Sequence, residues 1–182
     1  MKKVIAISGS LKSSSSNTYI LKAAKELAVE LDITLYDGIG NLPHFNPDID
    51  GDKSPEVVKQ YREVIKNADG ILICTPEYAF AVPGVLKNSL DWLVASGEYM
   101  NKPVMAISVS PLVSGGNQAH ASLVHTLKTI SANVINEASL NIGAISTKLD
   151  KNGNLTDDGT ILLLKNALAV FAKGINEAVT VL

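Results

Sequence analysis

Val4-Ile5-Ala6-Ile7-Ser8-Gly9-Ser10-Leu11-Lys12-Ser13-Ser14-Ser15-Ser16-Asn17-Thr18 passes from an unbroken apolar run, through a hydroxyl-rich bend, into a helical pattern. An apolar run without alternation suits a strand covered on both faces, as in a parallel sheet. From Asn17 onward Ile20, Leu21, Ala24, Leu27, Ala28 and Leu31 recur at helical spacing, while Lys22, Lys25, Glu26 and Glu30 take the other side. The bend therefore joins a buried strand to a helix lying on the sheet. It holds one glycine, the cation Lys12 and no acid. Free N–H groups and the positive dipole end at a helix start favour an anion by up to about 2 kcal/mol in a partly buried site. Serine and threonine hydroxyls add hydrogen bonds, so the stretch suits a phosphate. The alternative is a flexible serine-rich turn in which Ser16 or Asn17 only caps the helix. A triphosphatase loop is excluded because no Gly-Lys pair follows Gly9, and the spaced glycines of a dinucleotide fingerprint are missing as well.

Outward from this stretch the same scheme repeats. Residues 33–36 read as a shorter strand and 37–53, with glycines and prolines, as a long loop of the kind that is usually functional or mobile. Ser54-Pro55-Glu56 offers an N-cap, a proline at the first helical position and an early acid, ahead of the stripe Val57, Val58, Tyr61, Val64, Ile65 and Ala68. Residues 70–75 form a further apolar strand, followed by a loop over 76–82 and a helix over 83–95. Residues 104–109 form another, with a small-residue loop over 110–116 and a helix to 130. A fifth strand is expected over 134–140 and a closing helix over 159–178, with a turn at 150–154 between them. Strands alternating with helices predict a doubly wound α/β sheet. In such sheets ligands lie beyond the carboxyl ends of the strands, so the loops after strands one, three and four should converge on one crevice.

At 182 residues the chain is expected to form one domain, 1–182, with a core large enough to dispense with disulfides and metals. A formal net charge of -2 without basic blocks argues against a nucleic-acid partner. The lone Cys74 cannot close an internal disulfide, the first apolar run is too short for a secretion signal, and no run approaches the roughly 20 apolar residues of a membrane span. A cytoplasmic protein without a membrane partner is expected. His44 reads as an exposed loop residue near the mouth of the crevice. His120 and His125 lack the spacing of a helical metal pair, and no metal site is expected.

The most informative run is 75–92. Two prolines stiffen a loop that carries Glu77, Tyr78 and Phe80. Such a loop can present fixed backbone groups to the edge of a flat heterocycle, with Tyr78 or Phe80 against its face, or the two rings simply pack over the sheet end. Ser114-Gly115-Gly116-Asn117 fits the close approach of backbone to a ring, or a hinge before a helix.

Gly9-Ser10-x-Lys12 through Ser16-Asn17, then Leu42-Pro43-x-Phe45-x-x-Asp48, then Thr75-Pro76-Glu77-Tyr78 with Pro83-Gly84-x-Leu86-Lys87-Asn88-x-Leu90-Asp91-Trp92 closely resemble the NADPH-dependent FMN reductase family. That family includes quinone, azo-dye and chromate reductases. The resemblance spans about the first two thirds of the chain. It implies a flavodoxin-like three-layer sandwich, a five-stranded parallel sheet in the order 2-1-3-4-5 with helices on both faces. It implies FMN as cofactor and NADPH or NADH as co-substrate, with hydride passing through flavin N5 to a small-molecule electron acceptor such as a flavin, quinone, azo compound or chromate. Residue by residue, it implies that Ser10, Lys12, Ser16, Asn17 and Thr18 hold the FMN phosphate. Pro76, Glu77, Tyr78 and Ala79 would line the isoalloxazine ring, and Ser110, Gly115 and Gly116 would close its other side. The helix after Gly116 would aim its positive end at the pyrimidine side of the ring.

No catalytic side chain is implied, because hydride transfer is the cofactor's own chemistry. Three positions depart from the family pattern. Lys12 stands where arginine is usual and offers a point charge in place of a planar fork. Ala79 replaces an asparagine, and Leu112 follows Ser110-Pro111 where glycine is common. A homodimer or homotetramer is implied, with Trp92, Leu93 and Tyr99 as candidate interface residues, Trp92 and Leu93 being alternatively core. A flavodoxin-type electron carrier or a flavin-binding sensor would share the fold, but carriers tend to be strongly acidic and this chain is nearly neutral.

Overall fold

The computed structural model describes residues 1–180; residues 181 and 182, which the single-domain expectation includes, lie outside the described residues. The chain runs β1 (Lys2–Ser8), α1 (Ser16–Leu27), β2 (Leu31–Tyr36), α2 (Glu56–Lys66), β3 (Gly70–Thr75), α3 (Gly84–Asp91), β4 (Pro103–Val109), α4 (Asn117–Thr129), β5 (Asn133–Val134), β6 (Leu140–Ile142) and α5 (Asp158–Thr180). The strands pair in the order β2-β1-β3-β4-β5, with β6 also on β4, and every one of these pairings is parallel. This is the order that the flavodoxin-like resemblance implies.

Strand alternation divides the core into two layers. Val4 and Ala6, Leu72 and Cys74, and Met105 and Ile107 face one side, where α1 and α5 cover them. Ile7, Ile71 and Ile73, and Val104 and Ala106 face the other, beneath α2, α3 and α4. Every residue of β3 and β4 is buried, which explains why both read as unbroken apolar runs. Complete burial of one such side chain contributes roughly 1.5–3 kcal/mol.

The structure corrects several boundaries. α1 stops at Leu27, and Leu31, in phase with the helical stripe by coincidence, opens β2. Its N-cap is Ser15, whose hydroxyl accepts from the Asn17 amide; neither Ser16 nor Asn17 holds that position. Ser54 likewise is not the cap of α2, since its hydroxyl is turned toward Asp50 and Arg62. α3 ends at Asp91 and gives way to turns. The expected fifth strand is broken by a 3-10 turn at Asn136–Ala138, a polar stretch of low strand propensity, so that β5 pairs with the start of β4 and β6 with its end. Trp92, Leu93 and Tyr99 are fully buried within this chain. They belong to its core and are not free to form a subunit interface.

The long segment between β2 and α2 contains three 3-10 turns and is tied down. Asn88 on α3 donates to the Pro43 carbonyl and accepts from the Phe45 amide, and the Trp92 indole N–H donates to the same carbonyl at 2.8 Å. Phe45 meets Trp92 edge to face, with ring centroids 5.1 Å apart.

Candidate functional site

The loop leaving β1 is ordered by its own hydroxyls. The Ser8 hydroxyl accepts from the Ser10 amide and from the Thr18 hydroxyl, and the Ser10 hydroxyl accepts from the Lys12 amide. Lys12 is exposed, and Ser10, Ser16 and Thr18 are half-buried. Among the described residues no backbone acceptor is seen for the amides of Ser13, Ser14 and Ser16, which leaves donors free at the start of α1. Asn17 is placed differently. It is buried, its amide group donates to Ser15 Oγ, and its carbonyl oxygen accepts from the Cys74 thiol at 3.4 Å. Its side chain supports the loop from behind. Burial pushes the Cys74 thiol well above its ordinary pKa, so this cysteine is an inert neutral partner.

The loop after β3 makes a tight turn in which the Tyr78 and Ala81 amides and carbonyls pair reciprocally at 3.0 Å. Ala79 and Phe80, at its tip, both take positive φ, 49° and 61°. Two left-handed residues in succession are the requirement of a type I′ turn, which ordinarily selects asparagine and glycine. The turn holds its side chains outward, Tyr78 at 55% and Phe80 at 78% exposure, so neither packs over the sheet end. Pro76 is buried behind them, its carbonyl accepting from the Thr75 hydroxyl.

The loop after β4 is fastened to β6 and the residues that follow it. Asn141 on β6 donates to Ser108 Oγ at 2.7 Å, and Ser108 Oγ donates to the Gly115 carbonyl at 2.6 Å. The Ser110 amide donates to the Ile142 carbonyl, and the Ile145 amide donates back to the Ser110 carbonyl. The available signal was a polar residue and a glycine, Asn141 and Gly143, directly after an apolar strand position. Gly115 and Gly116 both have positive φ, 66° and 74°, and a Cβ on Gly115 would lie 3.0 Å from the Asn141 backbone.

These loops meet. The Gly9 amide donates to the Cys74 carbonyl at 2.8 Å, and a Cβ on Gly9 would crowd Thr75 Oγ1 at 3.2 Å. A Cβ on Gly116 would lie 3.3 Å from that of Glu77, and Glu77 Oε2 accepts from the Ala119 amide at 2.9 Å. Glu77 therefore caps α4 from another loop, so the positive end of that helix is met by a carboxylate. Tyr78 and Phe80 on the loop after β3, and Leu112 and Val113 on the loop after β4, are exposed beside the junction.

Other features of the surface are structural. A depression of about 820 Å³ at the opposite end of the sheet includes Lys102, whose ammonium donates to the Lys66 and Ala68 carbonyls. His44 and His125 are exposed, and His120 sits with Nε2 3.3 Å from the Ala106 carbonyl. Burial lowers the His120 pKa against the opposing pull of that carbonyl. Among the described residues no group of three His, Cys, Asp or Glu could hold a metal ion, and no helix is long and apolar enough to cross a membrane.

Residues 2–147 match the family described as NADPH-dependent FMN reductase. The chain belongs to this family. Within it, the chain is 31% identical over 180 residues to a quinone reductase of Escherichia coli K12, covering 96% of each. It is 34% identical over 169 residues to an NAD(P)H-dependent FMN reductase of Pseudomonas aeruginosa, covering 91% of each. The flavoenzyme NAD(P)H:(acceptor) oxidoreductase FerB of Paracoccus denitrificans superposes with a TM-score of 0.88 at 30% identity, over 97% of this chain and 98% of that one. A flavodoxin-type, WrbA-like protein of Agrobacterium tumefaciens shares the fold at a TM-score of 0.63 and 16% identity. Membership in the FMN reductase family implies FMN as cofactor and NAD(P)H as co-substrate.

Proposed function

We propose that the chain is an FMN-dependent NAD(P)H oxidoreductase that delivers electrons to a small planar or oxyanion acceptor, such as a flavin, quinone, azo compound or chromate. The observation that carries this reading is the junction itself: a hydroxyl-lined helix start after β1, with Glu77 of the loop after β3 and the glycine pair of the loop after β4 packed against each other beside it. The donor set fits FMN. Hydroxyls, free amides and one lysine suit a phosphate, while Gly9, Gly115 and Gly116 let the loops around it pack closely, a Cβ at each meeting neighbouring protein atoms at 3.0–3.3 Å.

In this reading Ser10, Lys12, Ser16 and Thr18 grip the phosphate, and Asn17 keeps Ser15 and the loop in place. Pro76, Glu77, Tyr78 and Ala79 line the ring on one side, with Ser110, Gly115 and Gly116 on the other. When bound, FMN supplies the hydride chemistry, accepting from NAD(P)H at N5 and passing electrons onward. The chain's residues position the donor and then the acceptor against the same opening. Tyr78, Phe80 and Leu112 offer both an exposed apolar and aromatic surface. Shared occupancy predicts ping-pong kinetics, with parallel lines when both substrates are varied. The exposed rim also supports a homodimer or homotetramer closing over the mouth, and the buried free thiol of Cys74 agrees with a cytoplasmic setting.

The test is anaerobic mixing of the FMN-loaded protein with NADPH, and separately with NADH. Rapid bleaching of the flavin, followed by recovery on adding a quinone, is expected. No bleaching with either nucleotide would contradict the reading.

A further inference from the structure

Glu77 does more than line a loop. α4 begins with Asn117, Gln118 and Ala119, has no acid in its first turn, and is preceded by Gly116, which has no side chain to cap it. The missing acceptor arrives from a different loop: Glu77 Oε2 lies 2.9 Å from the amide of Ala119, which is 42 positions further along the chain. Among the described residues no cation pairs with this carboxylate. A helix start carries the equivalent of roughly half a positive charge. A full carboxylate there reverses the sign of the local field, which a serine or asparagine cap would not do.

We propose that Glu77 is a positioning residue that sets the reduction potential of the bound flavin, holding it lower than the start of α4 alone would. The inference rests on the reading that FMN occupies the junction. Transfer of a hydride from NAD(P)H adds two electrons and one proton to the oxidised ring and leaves NAD(P)⁺. The ring therefore gains one negative charge beside the carboxylate, which disfavours the reduced form relative to the oxidised one. The reduced site is in consequence a stronger donor and reaches acceptors of lower potential.

Glu77→Gln separates charge from capping, because its carboxamide oxygen can still accept from the Ala119 amide. The two-electron potential of bound FMN, measured by equilibration with a reference dye, is compared in wild type, Glu77→Gln and Glu77→Ala, alongside thermal melting of each apoprotein. Glu77→Gln should melt close to wild type, yet bind reduced FMN at least about tenfold more favourably relative to oxidised FMN. That ratio corresponds to a potential about 30 mV more positive for a two-electron couple. Glu77→Ala should raise the potential and also lower the melting temperature. An unchanged potential in Glu77→Gln, with lower melting in Glu77→Ala, would reduce Glu77 to a helix cap and overturn the proposal. If Glu77→Gln does not fold, Gln118→Lys at the exposed first turn of α4 tests the same field. It should raise the potential, and no shift would overturn the proposal. Wild-type protein that binds no FMN would overturn the functional reading and this inference together, whereas binding with unchanged potentials defeats the inference alone.

Discussion

At the scale of single residues, the positions that matter most are those with unusual backbone. Ala79 and Phe80 hold a left-handed pair without the residue types that favour it, at about 1 kcal/mol or more each. Asparagine tolerates this region better than alanine. Ala79→Asn should therefore stabilise the protein by about 0.5–1 kcal/mol, seen as a higher urea midpoint at unchanged slope; a lower midpoint would mean that the turn is not strained. Gly116→Ala acts in the opposite sense. Its φ of 74° and a Cβ 3.3 Å from that of Glu77 should cost about 1–2 kcal/mol and weaken FMN binding, checked by melting and by flavin titration. The glycine pair was legible in the sequence as a place of close approach. The partners that make it necessary, Asn141 and Glu77, were not, because their contacts with Gly115 and Gly116 join positions 26 and 39 residues apart and no local pattern encodes them.

At the scale of elements, the segment before α2 shows how an apparent loop becomes rigid. Arg62 on α2 pairs with Asp50 at 2.7 Å, both side chains being only 12% and 14% exposed, and its guanidinium also donates to Ser54 Oγ and the Trp92 carbonyl. Partial burial pushes the Asp50 carboxyl upward, but Arg62, the Gly51 amide and the Ser54 hydroxyl together hold it below the ordinary aspartate value. A depressed carboxyl contributes stability above the unfolded pKa near 4, and that contribution is lost as pH falls through the folded value. Asp50→Asn should cost about 3 kcal/mol at neutral pH. It should also flatten the fall in stability below about pH 4, measured as urea midpoints across a pH series. An acid limb as steep as that of wild type would assign the dependence to other carboxylates. Here the sequence exposed the prolines and glycines of the segment and suggested mobility, whereas the clamp depends on α2 and α3 meeting across it. Among elements with strong patterning, β3 and β4 were legible almost to the residue and β1 and α2 to within two residues at their ends. β5 and β6 were not, since two and three residues carry too little pattern to mark a break in a strand.

At the scale of the whole molecule, parallel pairing brings the ends of β1, β3 and β4 side by side, and Gly9 after β1 and Gly116 after β4 let their loops pack closely against the end of β3 and its loop. If one loop grips a phosphate while the other two take the ring, affinity should depend on the phosphate as well as on the flavin. Titration of the apoprotein with FMN and with riboflavin, followed by quenching of flavin fluorescence, separates the two. FMN should bind one per chain and about a hundredfold more tightly than riboflavin, a difference of roughly 2.7 kcal/mol that a few charge-assisted hydrogen bonds supply. Equal affinity for the two, or no quenching by either, would contradict the account.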